Sequence, residues 1–84
     1  MTRDQIRQAV LTVLGRIAPE MDPAALDPVV PLREQLDIDS MDFLNFVLGL
    51  HKELGVSVPE KDYPKLLTLN GCVDYLAAAV THHP

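Results

Sequence analysis

The chain of 84 residues carries seven Lys and Arg against twelve Asp and Glu, a net charge of -5, with 48% hydrophobic content and one cysteine. That length supports one small core, so a single domain over residues 1–84 is expected, and Cys72 has no partner for an internal disulfide. The negative charge argues against a nucleic-acid backbone as partner; with no charged-then-apolar leader and no apolar run near the ~20 residues of a membrane span, a cytoplasmic monomer is expected, not a membrane protein.

The first predicted helix has a start signal in Thr2-Arg3-Asp4-Gln5, where Thr2 can cap and Gln5 can reach back to it. Ile6, Val10, Val13, Leu14 and Ile17 then fall on one stripe, and Pro19 sets the end near Ala18. A long connection follows, with Pro19, Pro23, Pro28 and Pro31 before Arg33 and room for a helical turn at Ala24-Ala25-Leu26. Connections beyond ~12–15 residues are uncommon in compact domains. Leu26, Val29, Val30 and Leu32 are therefore expected to pin this one to the core.

The second main helix is predicted from Ser40 to about Leu54, with Gly55 as its stop. At 100° per residue, Phe43, Phe46, Val47, Leu50 and Leu54 gather on one side, which suffices to face a core. Met41, Leu44 and Leu48 gather on nearly the opposite side, followed by His51. Either the long loop covers this second stripe or it is kept for a partner. Pro59 and Pro64 then permit only a short helical piece around Glu60–Leu66. Thr68 caps the last helix, whose inner stripe is Leu69, Cys72, Val73, Leu76 and Val80, and the terminal Thr81–Pro84 is expected to fray. No strand alternation survives. The fold expected is all-α, a small bundle of three main helices plus one short helix, with a long loop between helices one and two.

The charge is unevenly placed. Glu34 to Asp62 holds seven acids and two bases and so accounts for the whole excess, while the flanking segments balance. Inside that segment Ser40 stands between Asp39 and Asp42. As a helix cap its oxygen would accept a first-turn backbone N–H, worth ~1 kcal/mol. Nucleophilic catalysis in cis is disfavoured, since no Gly-x-Ser-x-Gly elbow surrounds it and no histidine is near in sequence. A hydroxyl at a helix start is exposed, however, and a phosphate attached there would sit at the positive end of the helix dipole.

From Leu36 to Val80 the chain resembles the acyl carrier proteins. The resemblance rests on Asp39-Ser40-Met41, an Asp-Ser-Leu-type modification motif, on the exit Glu53-Leu54-Gly55-Val56-Ser57-Val58-Pro59-Glu60, and on Thr68, Val73, Tyr75 and Leu76 of the last helix. It extends to the first helix and the proline-rich loop by length and pattern. It implies that Ser40 carries a 4'-phosphopantetheine arm, installed from coenzyme A by a phosphopantetheinyl transferase with magnesium, whose thiol holds acyl groups as thioesters. Asp39 would help present the serine. Met41, Asp42, Leu44 and Leu48 would form the face read by acyl-loading and acyl-transferring enzymes with basic docking surfaces, flanked by the acids Glu60 and Asp62. The chain itself would catalyse nothing.

Two departures stand out. Asp37 occupies a place where glycine is common in the family, and Asn45, His51 and Lys52 stand where acids are frequent. These imply a dedicated carrier in a specialised fatty acid, polyketide or lipid pathway. Peptidyl carriers of nonribosomal synthesis usually show Gly-Gly-x-Ser, against which Asp39 speaks; an unmodified helical adaptor with the same docking face is the alternative of another class. Cys72 is expected to be a small buried hydrophobe, not a reactive thiol. His51, His82 and His83 lack metal-ligand spacing, so no metal site is expected.

Overall fold

A computed structural model of the chain describes residues 1–81, so of the stretch expected to fray His82 to Pro84 lie outside the described residues, while Thr81 is still the last residue of a helix. Helix α1, Arg3–Ile17, starts as its sequence requires. The Gln5 N–H donates to Thr2 Oγ1 at 3.1 Å while the Thr2 N–H donates to Gln5 Oε1 at 2.9 Å, so two otherwise unpaired donors are satisfied reciprocally. Ile6, Val10, Val13 and Leu14 are buried on its inner stripe, and the helix ends at Ala18, ahead of Pro19.

The long connection is more ordered than its prolines predict. A 3-10 turn at Pro23–Ala25 is capped by the Asp22 carboxylate, and a one-turn helix, α2, forms over Leu32–Gln35. Its path is fixed by hydrogen bonds that no local pattern announces. The Gln35 side-chain amide donates to Asp27 O and Val30 O while its oxygen accepts from the Asp27 N–H, and the Leu32 N–H donates to Leu67 O at 2.7 Å. Leu26 and Leu32 anchor the segment in the core as expected and Val30 is half-buried, but Val29 is 67% exposed and pins nothing. The reason is geometric: the Asp27 carboxylate accepts the Val29 N–H at 3.0 Å, turning the chain so that only some of its apolar residues face inward.

Helix α3, Ser40–Leu54, packs on α1. Phe46, Val47 and Leu50 are buried, with Phe43 and Leu54 half-buried at the edges of the same face. The two helices approach closely at Gly49, where a Cβ would lie 2.6 Å from Val13 Cγ1. Gly55 ends α3 in the left-handed region (φ 69°, ψ 17°), open to glycine without the Cβ penalty.

The short helical piece at Glu60–Leu66 is 3-10, which tolerates Pro64 within it. Helix α4, Leu69–Thr81, follows, and Thr68 caps it as expected, its Oγ1 accepting the Gly71 N–H at 2.9 Å. Leu69, Cys72, Val73 and Leu76 are buried against α1 and the 3-10 helix, and Val80 is half-buried. The fold is thus an all-α bundle of three main helices, with α2 and two 3-10 segments completing it; α2 lies in what the sequence reads as loop, whereas the first 3-10 turn falls one residue ahead of the helical turn expected at Ala24-Ala25-Leu26.

Candidate functional site

Ser40 is the first residue of α3 but not its cap. That role belongs to Asp39, whose backbone is extended (φ -98°, ψ -172°) and whose Oδ1 accepts the Asp42 N–H at 2.8 Å. Asp42 Oδ2 accepts the Asp39 N–H at 3.2 Å in return. The pair closes a capping box with both partners acidic, and both carboxylates lie at the positive end of the helix dipole. Ser40 falls one place later, where its side chain is not needed for capping. It is exposed, and no hydrogen bond engages its hydroxyl among the described residues. The spacing Asp-x-x-Asp was the available signal, since either residue type can cap and only backbone geometry decides between neighbours.

The second stripe of α3 is open: Met41 is 65% exposed, Leu48 52% and Leu44 38%. The loop does not cover it. Asn45, His51 and Lys52 are exposed further along the helix. Of the acids in this region, Glu53 is paired with Arg16 at 2.8 Å and Asp39 and Asp42 are engaged in the capping box. Exposed Glu34, Asp37 and Glu60 have no ion-pair partner among the described residues. Free negative charge therefore gathers around the serine end of α3 and thins towards its far end.

Glu60 and Asp62 share the 3-10 helix but differ in surroundings. Glu60 is exposed, whereas Asp62 turns inward, its side chain 17% exposed, accepting the Tyr75 O–H at 2.7 Å and pairing with Lys65 at 3.4 Å. Tyr75's hydrogen bond holds the Asp62 carboxyl below the ordinary carboxylate range, and the same bond, with burial, pushes the Tyr75 hydroxyl up. Asp62 thus ties the 3-10 helix to α4, a duty that its place in an acidic run does not reveal.

Beside Ser40 runs a groove of about 530 Å3, lined by Arg33, Phe43, Leu44, Glu60, Tyr63, Pro64 and Leu67 as well as the serine. The rings of Phe43 and Tyr63 meet edge to face at 5.8 Å. Arg33, Tyr63, Pro64 and Leu67 were not singled out by the sequence, because they come from α2, the 3-10 helix and its exit and only the tertiary fold brings them to α3. An exposed, unengaged hydroxyl on a helix's first turn, beside a groove with apolar walls, fits a long phosphate-linked substituent: the oxygen is accessible, and an apolar surface is available to what it bears. Cys72 plays no part here. It is buried, its Sγ–H donates to Leu66 O at 3.3 Å, and burial pushes the thiol up to about 12. Among the described residues no helix is long and apolar enough to cross a membrane.

Comparison with known proteins meets this geometry. The family model described as the phosphopantetheine attachment site matches residues 4–76. Acyl carrier protein of Rubrobacter xylanophilus is 27% identical over 90% of this chain and 93% of its own length, and that of Myxococcus xanthus 28% over 87% and 96%. Mitochondrial acyl carrier protein 2 of Arabidopsis thaliana is 24% identical over 93% of this chain, which spans 61% of that relative's length. In three dimensions the acyl carrier protein of Enterococcus faecalis, described for its high thermal stability, superposes with a TM-score of 0.79 at 25% identity, covering 94% of this chain and 99% of the other. Such proteins serve a phosphopantetheinyl transferase and partner enzymes and are not themselves enzymes. With a family model spanning nearly the whole bundle, this chain belongs to the phosphopantetheine-attachment family of acyl carrier proteins.

Proposed function

We propose that Ser40 Oγ is the attachment point of the 4'-phosphopantetheine arm, and that the chain carries acyl intermediates on it and presents them to partner enzymes. One observation carries the reading: Asp39 and Asp42 cap α3 between themselves, leaving the Ser40 hydroxyl exposed at the lip of the groove. On the transferase, that oxygen attacks the β-phosphorus of coenzyme A. An oxygen–phosphorus bond forms as the bond to adenosine 3',5'-bisphosphate breaks, and the serine proton passes to a base. The arm supplies a thiol on which acyl groups are held as thioesters. Asp39, fixed by its capping bond, holds the backbone that presents Ser40.

Met41, Leu44 and Leu48 then form the apolar centre of the docking face, with Asp42, Glu60 and Asp62 on its acidic side. Because Asp62 is engaged by Tyr75 and Lys65, the free charge that steers a basic partner comes chiefly from Glu60, Glu34 and Asp37. The partner that fits has cations near its active-site mouth and an apolar trough beyond them. Exposed Asn45, His51 and Lys52 make the far end of α3 neutral to basic, which supports a carrier dedicated to a specialised fatty acid, polyketide or lipid pathway. Equal acylation by general fatty-acid-synthesis enzymes, with full rescue of a strain lacking the housekeeping carrier, would sink that assignment.

The attachment site is tested by intact mass before and after incubation with coenzyme A, magnesium and a broad-specificity phosphopantetheinyl transferase. The expected result is a gain of one arm in the parent and none in Ser40→Ala. A folded parent that neither gains an arm nor already bears one would make the chain an unmodified helical adaptor.

A further inference from the structure

Arg33 has no part in the reading above, yet among the described residues it is the only basic side chain lining the groove beside Ser40. Its backbone is well anchored. The preceding Leu32 is fully buried and hydrogen-bonded to Leu67 O, and Gln35, two residues on, is clamped to Asp27 and Val30. Its side chain is exposed and makes no ion pair among the described residues, whereas Arg3, Arg16 and Lys65 each make one. The charges closest to the serine in sequence, Asp37, Asp39 and Asp42, are all negative.

A phosphodiester on Ser40 adds a further negative charge to that company. What opposes the repulsion is the positive end of α3 and a single side chain, Arg33, whose planar guanidinium can offer two N–H donors to two phosphate oxygens. The groove walls beyond it, Phe43, Leu44, Pro64, Leu67 and the ring of Tyr63, are largely apolar, while Glu60, which also lines the groove, adds to the negative charge that Arg33 must offset. We propose that Arg33 is a positioning residue for the prosthetic arm: it takes the phosphodiester on Ser40 and lays the pantetheine portion along the groove instead of leaving it free in solvent. The inference rests on attachment at Ser40. The contact is at the surface, so it is weak and screened by salt, and cations on a docking partner compete for the same phosphate. Release of the arm is thereby coupled to docking.

The test uses the loaded protein with an isotope-labelled arm, compared as parent, Arg33→Gln and Arg33→Lys, with loading first verified by mass. The readouts are nuclear Overhauser contacts from the pantetheine methyls to the Phe43 and Tyr63 rings, and the phosphorus chemical shift as sodium chloride is raised. The parent is expected to show these contacts. Arg33→Gln should lower the bound-to-free ratio about two- to fivefold, the range for an exposed ion pair, and Arg33→Lys should retain part of it. The parent should approach the Gln variant near 1 M salt, where screening extends only ~3 Å. Identical arm signals in fully loaded parent and Arg33→Gln, with matching melting curves, would overturn the proposal while leaving the attachment site intact. Failure of the parent to load would overturn both.

Discussion

Removing the Ser40 hydroxyl should leave the bundle as stable as before, while removing the neighbouring carboxylate should not. In Asp39→Ala the Asp42 N–H loses the acceptor that holds it at 2.8 Å, and with it half of the capping box. Loss of such a cap costs about 1 kcal/mol within a range of roughly 0.5–2. For a domain of this size, about 1 kcal/mol moves the melting temperature by roughly 4–8 °C. Ser40→Ala removes an exposed group that caps nothing, so its effect should stay within about 0.5 kcal/mol, or at most roughly 2–4 °C. Asp39→Asn separates shape from charge: asparagine caps about as well, so most of the loss should be recovered. Thermal melts followed by circular dichroism on the unloaded proteins measure all three. A fall in Ser40→Ala as large as in Asp39→Ala would refute the division of labour between the two residues. An unchanged Asp39→Ala would refute the capping role itself.

Gly49→Ala should cost about 1–3 kcal/mol by overpacking, since its new methyl would meet Val13 Cγ1 at 2.6 Å; addition of Val13→Ala should recover part of that loss in a double-mutant cycle. Met41→Ala and Leu48→Ala should each change stability by no more than about 0.5 kcal/mol but slow partner turnover, whereas Leu50→Ala should cost about 2–5 kcal/mol, as chemical denaturation will show. The Asp62 carboxyl is held below 3.8 by Tyr75, so its contribution is present above that value and is lost as pH falls through the lower folded-state value. Tyr75→Phe should therefore flatten the acid limb of the stability curve below about pH 4; an unchanged limb would show that the bond does no such work.

Asp62 also shows how charge can mislead when read along a line. In the sequence it is one of seven acids between Glu34 and Asp62, equivalent to Glu60 two places earlier. In the fold the 3-10 helix turns Glu60 outward and Asp62 towards Tyr75, 13 residues away, so the two acids have different work.

Much of the bundle was legible because it is encoded at short range. The stripes of α1, α3 and α4 follow from a 3.6-residue period, Thr2 and Thr68 cap through neighbours three residues away, and Gly55 stops α3 because it accepts the left-handed backbone without penalty. The serine between two acids at a helix start was likewise visible. Which residue caps that helix, Asp39 or Ser40, depends on backbone angles that both residue types can accept, so the choice became clear only with the chain in place. The one-turn helix α2, the exposure of Val29, the inward turn of Asp62 and the groove that gathers Arg33, Phe43 and Tyr63 depend on contacts between segments far apart in sequence. No local pattern records such contacts, because they arise only when packed helices bring distant residues to one place. The sequence by itself determined where the three main helices form and where an exposed serine stands; the tertiary structure decided what lies around that serine.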